Sequence, residues 1–378
     1  MSRVKIRHLF DKGNGILRLR PNFVAYNFSK PGYRLRLHPD DYYGFGMARG
    51  AIKERLLASV MANSNYVDTG EEISDITLRE AVEELGPELI GEELMTKHGT
   101  FPIHAKFFDY GEPLFHHIHL GFENAARIGQ FGKPEAYFFP PQLNNHAGTF
   151  PHTYFGFDTS VTKEQVRERM ADFDERDTRL TELSRAFRLE LGTGWYVPPG
   201  VLHAPGSYLT YEPQWNSQSG AVFENVTAGA INSRDSITRS LPDGKGDPID
   251  LLDWEINVDP DFRQKYFRPP VVCTDDPTHM EKWITYDTPY FSAKELTIYP
   301  GQTVTVKDNA AHGCVLVQGH GTFGSFAAET AQMIRINQRT ADEYFVSETA
   351  AQAGVTIVNG SEFEPLVVLK HFGDNNLY

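Results

Sequence analysis

Residues 111–123, GEPLFHHIHLGFE, crowd His116, His117 and His119 into an otherwise apolar run. The flanking Gly, Pro and aromatic residues mark a short strand. Side chains on a strand alternate between its faces, so His117 and His119 share one face while His116 and Ile118 take the other. Two imidazoles side by side on a pleated surface are spaced to hold one metal ion.

A metal site needs further ligands, and the chain offers two. Glu135 heads the apolar strand of GKPEAYFFP, where a carboxylate requires a partner or a cation. His203 closes GTGWYVPPGVLHAPG, in which Gly194, Pro198, Pro199 and Gly200 make tight turns around a strand and deliver the imidazole beside them. Three imidazoles and one carboxylate suit zinc, manganese or iron(II).

These stretches resemble the two cupin motifs. GEPLFHHIHLGFE fits G-x5-HxH-x3-E, and GTGWYVPPGVLH fits G-x5-P-x-G-x2-H. More narrowly, the chain is similar over most of its length to the type I mannose-6-phosphate isomerases, through FPIHAKFFDYGEPLFHHIHL, GKPEAYFF, VPPGVLHA and YEPQWNS. The resemblance implies a mainly β fold of two jelly-roll (cupin) barrels with an inserted helical segment. It also implies one divalent metal, zinc first, held by His117, His119, Glu135 and His203. Glu123 fits the generic cupin spacing, but the isomerase subgroup places its acid at Glu135. Lys106 matches the family lysine and is expected to act in catalysis, with its pKa lowered by a nearby divalent cation.

Two departures stand out. His117 replaces a family glutamine, and Val222 occupies the place of a family arginine implicated in handling a phosphorylated substrate, so the resemblance does not carry phosphate recognition over to this chain. The activity implied is aldose–ketose isomerisation of a sugar or sugar phosphate through an enediol. The alternatives are another metal-dependent cupin enzyme, a dioxygenase or lyase, and a non-catalytic sugar-binding cupin.

The residues add further candidates. Glu212 and Gln214 alternate on YEPQW and face one side, with Glu212 the expected base and Gln214 a substrate contact. His146, His152 and Tyr154, in a Pro/Gly/Asn-rich stretch, and Trp195 are candidate sugar-pocket residues.

The expected domains are 1–265, carrying the metal site and helical insertions at about 51–98 and 161–187, and 266–378, a second cupin-like unit. Residues 1–50 read as short strands and turns. Thr162 and Gln165 make a capping box that opens a helix. The two strand-rich halves are candidates for a diverged duplication.

The chain has 378 residues, with 50 Asp and Glu against 36 Lys and Arg, a formal charge of −14. Such a balance argues against nucleic acid and anionic membranes as partners, and the resemblance implies a small carbohydrate as the partner. Two cysteines exclude a disulfide framework or a Cys-type zinc site. No apolar run reaches the length of a membrane span, and the expected location is cytoplasmic. The sequence sets no oligomeric state.

Overall fold

In the computed structural model, which describes residues 2–144, 150–227 and 230–378, the alternating segments form short strands. The first are β1 (Ile16–Arg18), β2 (Asn22–Tyr26), β3 (Ala51–Leu57), β4 (Ile103–Phe108), β5 (His117–Ile118), β6 (Glu135–Phe138), β7 (His152–Phe157) and β8 (Ser184–Arg188). Then come β9 (Gly194–Val197), β10 (His203–Ala204), β11 (Thr210–Trp215), β12 (Ala221–Val222), the hairpin β13 (Val226–Thr227) and β14 (Ala230–Ile231), and β15 (Phe267–Arg268). The remainder of the chain supplies β16 (Val271–Asp275), β17 (His279–Thr285), β18 (Ser292–Ile298), β19 (Thr303–Val306), β20 (His312–Gln318), β21 (His320–Phe323), β22 (Phe326–Glu329), β23 (Glu343–Val346), β24 (Val355–Asn359) and β25 (Leu366–Phe372).

The fold is mainly β, as expected, and consists of two double-sheet units. The first pairs a seven-stranded sheet, β2-β3-β4-β11-β6-β9-β15, with a five-stranded one, β8-β7-β10-β5-β12. The second pairs β16-β17-β18-β25-β20-β23-β1 with β22-β21-β24-β19. Apart from β12, which has no counterpart in the second unit, the strand orders correspond position for position, and so does the register. Glu54 lies opposite Phe108 and Lys106 opposite Glu212 in the first unit; Glu281 lies opposite Leu296 and Lys294 opposite Lys370 in the second. This repeated register is the mark of an internal duplication. In the second unit, however, Lys294 and Lys370 are neutralised from within by Glu281 and Asp308, which form a buried four-residue ion-pair network.

Period-two alternation explains the layering. On β4, Lys106 and Phe108 face into the first unit, while Ala105 and Phe107 face out and pack with Ile52, Phe138 and Tyr211 against Ala293, Val315, Val367 and Leu369 of the second unit's large sheet. The two large sheets are therefore joined back to back by an apolar layer. Inside the first unit, Phe108, Tyr137, Trp195 and Val197 meet Phe155 of the smaller sheet.

Three local expectations are corrected. Residues 51–57 form β3 rather than a helix. The strand is buried on both faces, so its charged residues do not alternate with apolar ones and the strand period is hidden. The helices of that region are Leu78–Leu85, with a Thr77/Glu80 capping box, Pro87–Ile90 and Glu92–His98. Residues 2–12 form a helix rather than strands, with Ile6 buried in the core cluster and Leu9 and Phe10 packed against it. The Thr162/Gln165 capping box is present, but its helix ends at Ala171, and the segment continues into β8.

The expected domain division also meets two crossings: β15 remains with the first unit's large sheet, and β1 joins β23 in the second's. Among the described residues no helix is long and apolar enough to cross a membrane.

Arg55 of β3 crosses between the units. Its guanidinium is buried and donates to Asp342 at 2.8 and 2.9 Å and to Glu343 at 3.0 Å. Replacing Arg55 with Met leaves two carboxylates without their buried counter-charge. The expected loss of stability is about 3–5 kcal/mol, read as a lower thermal midpoint; an unchanged midpoint would show that the units do not depend on this pairing.

Candidate metal centre

The three imidazoles expected to converge do so. His203 on β10 lies directly opposite His117 on β5, and the turn residues before His203 bring it to that register. Ring centroids are 4.2 Å apart for His117 and His203, and 5.2 Å for His119 with each of the others. One ring nitrogen from each falls within 4.8 Å of the other two. His116 points the other way, to Glu224, as alternation requires.

The hydrogen bonds set the tautomers. Nδ1 of His117 lies 2.9 Å from the Phe115 carbonyl, Nδ1 of His119 3.0 Å from that of Ser219, and Nδ1 of His203 2.8 Å from that of Val201. A carbonyl only accepts, so each Nδ1 donates and each Nε2 is left with a bare lone pair. Burial, reinforced by the neighbouring imidazoles, lowers His117 well below its ordinary pKa. Burial and then Lys133 lower His119 to about 4. Both rings are therefore neutral acceptors at neutral pH.

Glu135 stands among them. Its Oε2 is 3.0 Å from His119 Nε2 and its Oε1 is 3.3 Å from His203 Nε2. Burial opposes its charge, but the neighbouring Lys133 ammonium, the largest opposing influence, holds the carboxyl well below its usual range. Tyr137 donates to Oε1 at 2.7 Å. Facing acceptors repel unless a cation or a proton lies between them. His203 Nε2 is buried with no hydrogen-bond partner among the described residues. An orphaned imidazole nitrogen, two further imidazoles and a carboxylate fit a divalent metal. Glu123, the other carboxylate considered, is on the surface, paired with Arg127 at 2.6 Å.

Lys106 and Glu212 are cross-strand neighbours on β4 and β11, beside this cage. Lys106 Nζ lies 3.1 Å from Glu54 Oε1 and 3.3 Å from Glu212 Oε1. Burial opposes its charge, but Glu212 and Glu54 outweigh burial and hold Lys106 well above its usual pKa. Burial, followed by the charge of Glu135, raises the Glu212 carboxyl to about 8. Glu54 accepts from Tyr110 at 2.8 Å and from Tyr26 at 3.0 Å. A cavity of about 220 Å³ joins these groups, with Phe115, Val222 and Arg239 at its rim. The rim opens onto a broader hollow of about 910 Å³ that shares Phe28, Phe115, Val222 and Arg239.

The sugar-contact expectations fare differently. Trp195 is only 1% exposed inside the aromatic core and presents no face to a ligand. Gln214 shares the inward face with Glu212 but lies two residues along the strand, outside the cavity lining, where it donates to His104 at 2.8 Å. His152 and Tyr154 lie on the opposite face of β7 from buried Phe155. His152 contacts the Phe150 carbonyl, and Tyr154 packs on the rings of His116 and His152. His146 lies outside the described residues.

Glu54, Tyr110, Tyr26, Lys133 and Tyr137 were not singled out from sequence. Lys133 carried a usable signal: it stands two residues before Glu135 and so shares its face once the strand is recognised.

No family model and no curated sequence matches the chain. Solved structures do. Mannose 6-phosphate isomerase from Bacillus subtilis superposes with a TM-score of 0.63 at 17% identity, over 94% of this chain and 99% of that one. A single-residue variant of phosphomannose isomerase from Salmonella typhimurium superposes with a TM-score of 0.63 at 11% identity, over 96% of this chain and 100% of the other. This chain has the fold of the phosphomannose isomerases. The likeness spans both double-sheet units, so the whole architecture is shared rather than a single jelly roll.

His203→Ala is expected to weaken metal binding by more than the roughly 10–100-fold that loss of a ligand's supporting hydrogen bond costs, whereas His116→Ala leaves it intact. Element analysis of the two purified variants checks this. Equal metal content in both would remove His203 from the cage.

Proposed function

We propose that this chain is a divalent-metal-dependent aldose–ketose isomerase acting on a sugar or sugar phosphate. The observation that carries the reading is the pairing of Lys106 with Glu212 on adjacent strands, lining the same small cavity as His117, His119 and Glu135 of the cage. Isomerisation moves a proton between C1 and C2 through an enediol, which calls for a base tuned near working pH and for stabilisation of a developing oxyanion. A divalent metal held by His117, His119, Glu135 and His203 supplies Lewis-acid polarisation of the sugar oxygens.

The remaining steps belong to the chain. Glu212, with its carboxyl raised to about 8, takes a proton from one carbon and returns it to the next. Lys106, kept as an ammonium by Glu212 and Glu54, donates hydrogen bonds to the substrate oxygens and relays protons between them. Tyr110 and Tyr26 hold Glu54, and Glu54 holds Lys106.

Val222 at the rim removes one route to phosphate recognition, so the assay panel pairs each aldose with its phosphate. Interconversion of an aldose and a ketose under nitrogen by the metal-replete protein supports the proposal. Strict dependence on oxygen would favour the dioxygenase alternative, and tight sugar binding without turnover a sugar-binding protein.

Lys106→Met is expected to retain its metal while turnover falls by about 10²–10⁴-fold, the usual worth of a positioned proton donor or acceptor. Element analysis and an isomerase assay on the same preparation check this. Undiminished turnover would take Lys106 out of the mechanism.

A further inference from the structure

Lys133 enters the cage from the segment leading into β6, its own amide anchored on the Leu120 carbonyl at 3.2 Å. Its ammonium lies 2.9 Å from His119 Nε2 and 2.9 Å from Glu135 Oε2. Both atoms are acceptors, because His119 donates through its other nitrogen to Ser219. They stand only 3.0 Å apart, a separation that needs a shared donor or cation. The ammonium meets that need with two of its three protons.

The third direction is informative. Glu212 Oε1 lies 3.7 Å from Lys133 Nζ, too far for a hydrogen bond. That oxygen is ion-paired with Lys106 at 3.3 Å, yet it is buried and accepts no hydrogen bond among the described residues. A receptive acceptor thus stands 3.7 Å from the ammonium.

We propose that Lys133 is the cage's resident counter-cation: it bridges His119 and Glu135 and yields both atoms to a divalent metal by turning its ammonium to Glu212. A metal bound to Nε2 of His119 at about 2.0–2.1 Å and an ammonium hydrogen-bonded to the same lone pair exclude one another. Turning to Glu212 keeps the lysine paired, satisfies the orphaned carboxylate oxygen, and leaves Tyr137 holding the other oxygen of Glu135 in place. Lys133 therefore acts in opposition to the metal, as a built-in competitor for the same two atoms. The inference rests on the metal cage of the proposed function, but not on the isomerase chemistry.

The test compares the wild-type chain with Lys133→Met and Lys133→Arg. Zinc and manganese affinities are measured by competition with a chelating dye, and thermal midpoints in excess chelator. Removing the competitor in Lys133→Met is expected to tighten metal binding by about tenfold or more and to lower the midpoint in chelator, so that the metal-induced rise grows. Lys133→Arg keeps the charge and is expected to show neither the tighter binding nor the full loss in chelator. Unchanged or weaker metal affinity in Lys133→Met would overturn the proposal. A metal-loaded crystal structure of the wild type is a second measurement that needs no variant: Nζ within hydrogen-bond distance of Glu212 and released from His119 supports it, and Nζ still on His119 overturns it. If neither wild type nor Lys133→Met binds a divalent ion, this inference and the proposed function both fall. Binding without isomerisation removes only the latter.

Discussion

Lone pairs without protons, aimed at one another inside a small cavity, are the constraint around which this molecule is arranged. Three backbone carbonyls each take the Nδ1 proton of one imidazole, and the Nε2 atoms are thereby committed as acceptors. Glu135 adds its oxygens to the same space. Such a set is costly to bury unless positive charge is brought to it. The chain brings some of its own in Lys133, and Lys106 beside it is balanced by Glu54 and Glu212. Ligation, counter-charge and proton transfer thus meet in one small volume.

The scaffold makes that concentration of charge tolerable. The large sheet of each unit turns an apolar face outward, and the two faces seal against each other through Phe107, Phe138, Val315 and Leu369. The inward faces are then free to carry polar groups. The second unit shows the alternative outcome of the same register: where the first has Lys106 facing Glu212, the second has Lys294 facing Lys370, balanced by Glu281 and Asp308. One copy of the duplicated framework leaves nitrogen lone pairs exposed to a cavity, and the other closes its charges on themselves.

Much of this was legible in the sequence, because period-two alternation and turn chemistry are local. The shared face of His117 and His119, the placement of His203 after its Pro/Gly turns and the Thr162 capping box all follow from neighbours within a few residues. Glu54 was hidden because β3 is buried on both faces, and its run of Lys, Glu and Arg carries no alternation to read. Trp195 and Gln214 were misjudged for a related reason. Alternation tells which face a side chain takes, but depth along the strand, which separates a cavity wall from the packed core, is decided by strands far away in the chain. The ion pair of Lys106 with Glu54 was hidden likewise, because the helical reading of that segment concealed the partner.

The pairing of β1 with β23 has a consequence for biosynthesis. Ile16–Arg18 finds its partners at Tyr344–Val346, more than three hundred residues downstream. At a ribosomal pace of about 5–20 residues per second, the wait is roughly 15–65 s. During that interval the strand's hydrogen-bonding edge is unmatched, while the first unit emerges between it and its partner. A chain stalled or cleaved after the first unit would carry an orphan strand and a bare apolar sheet, both of them substrates for chaperones or for aggregation.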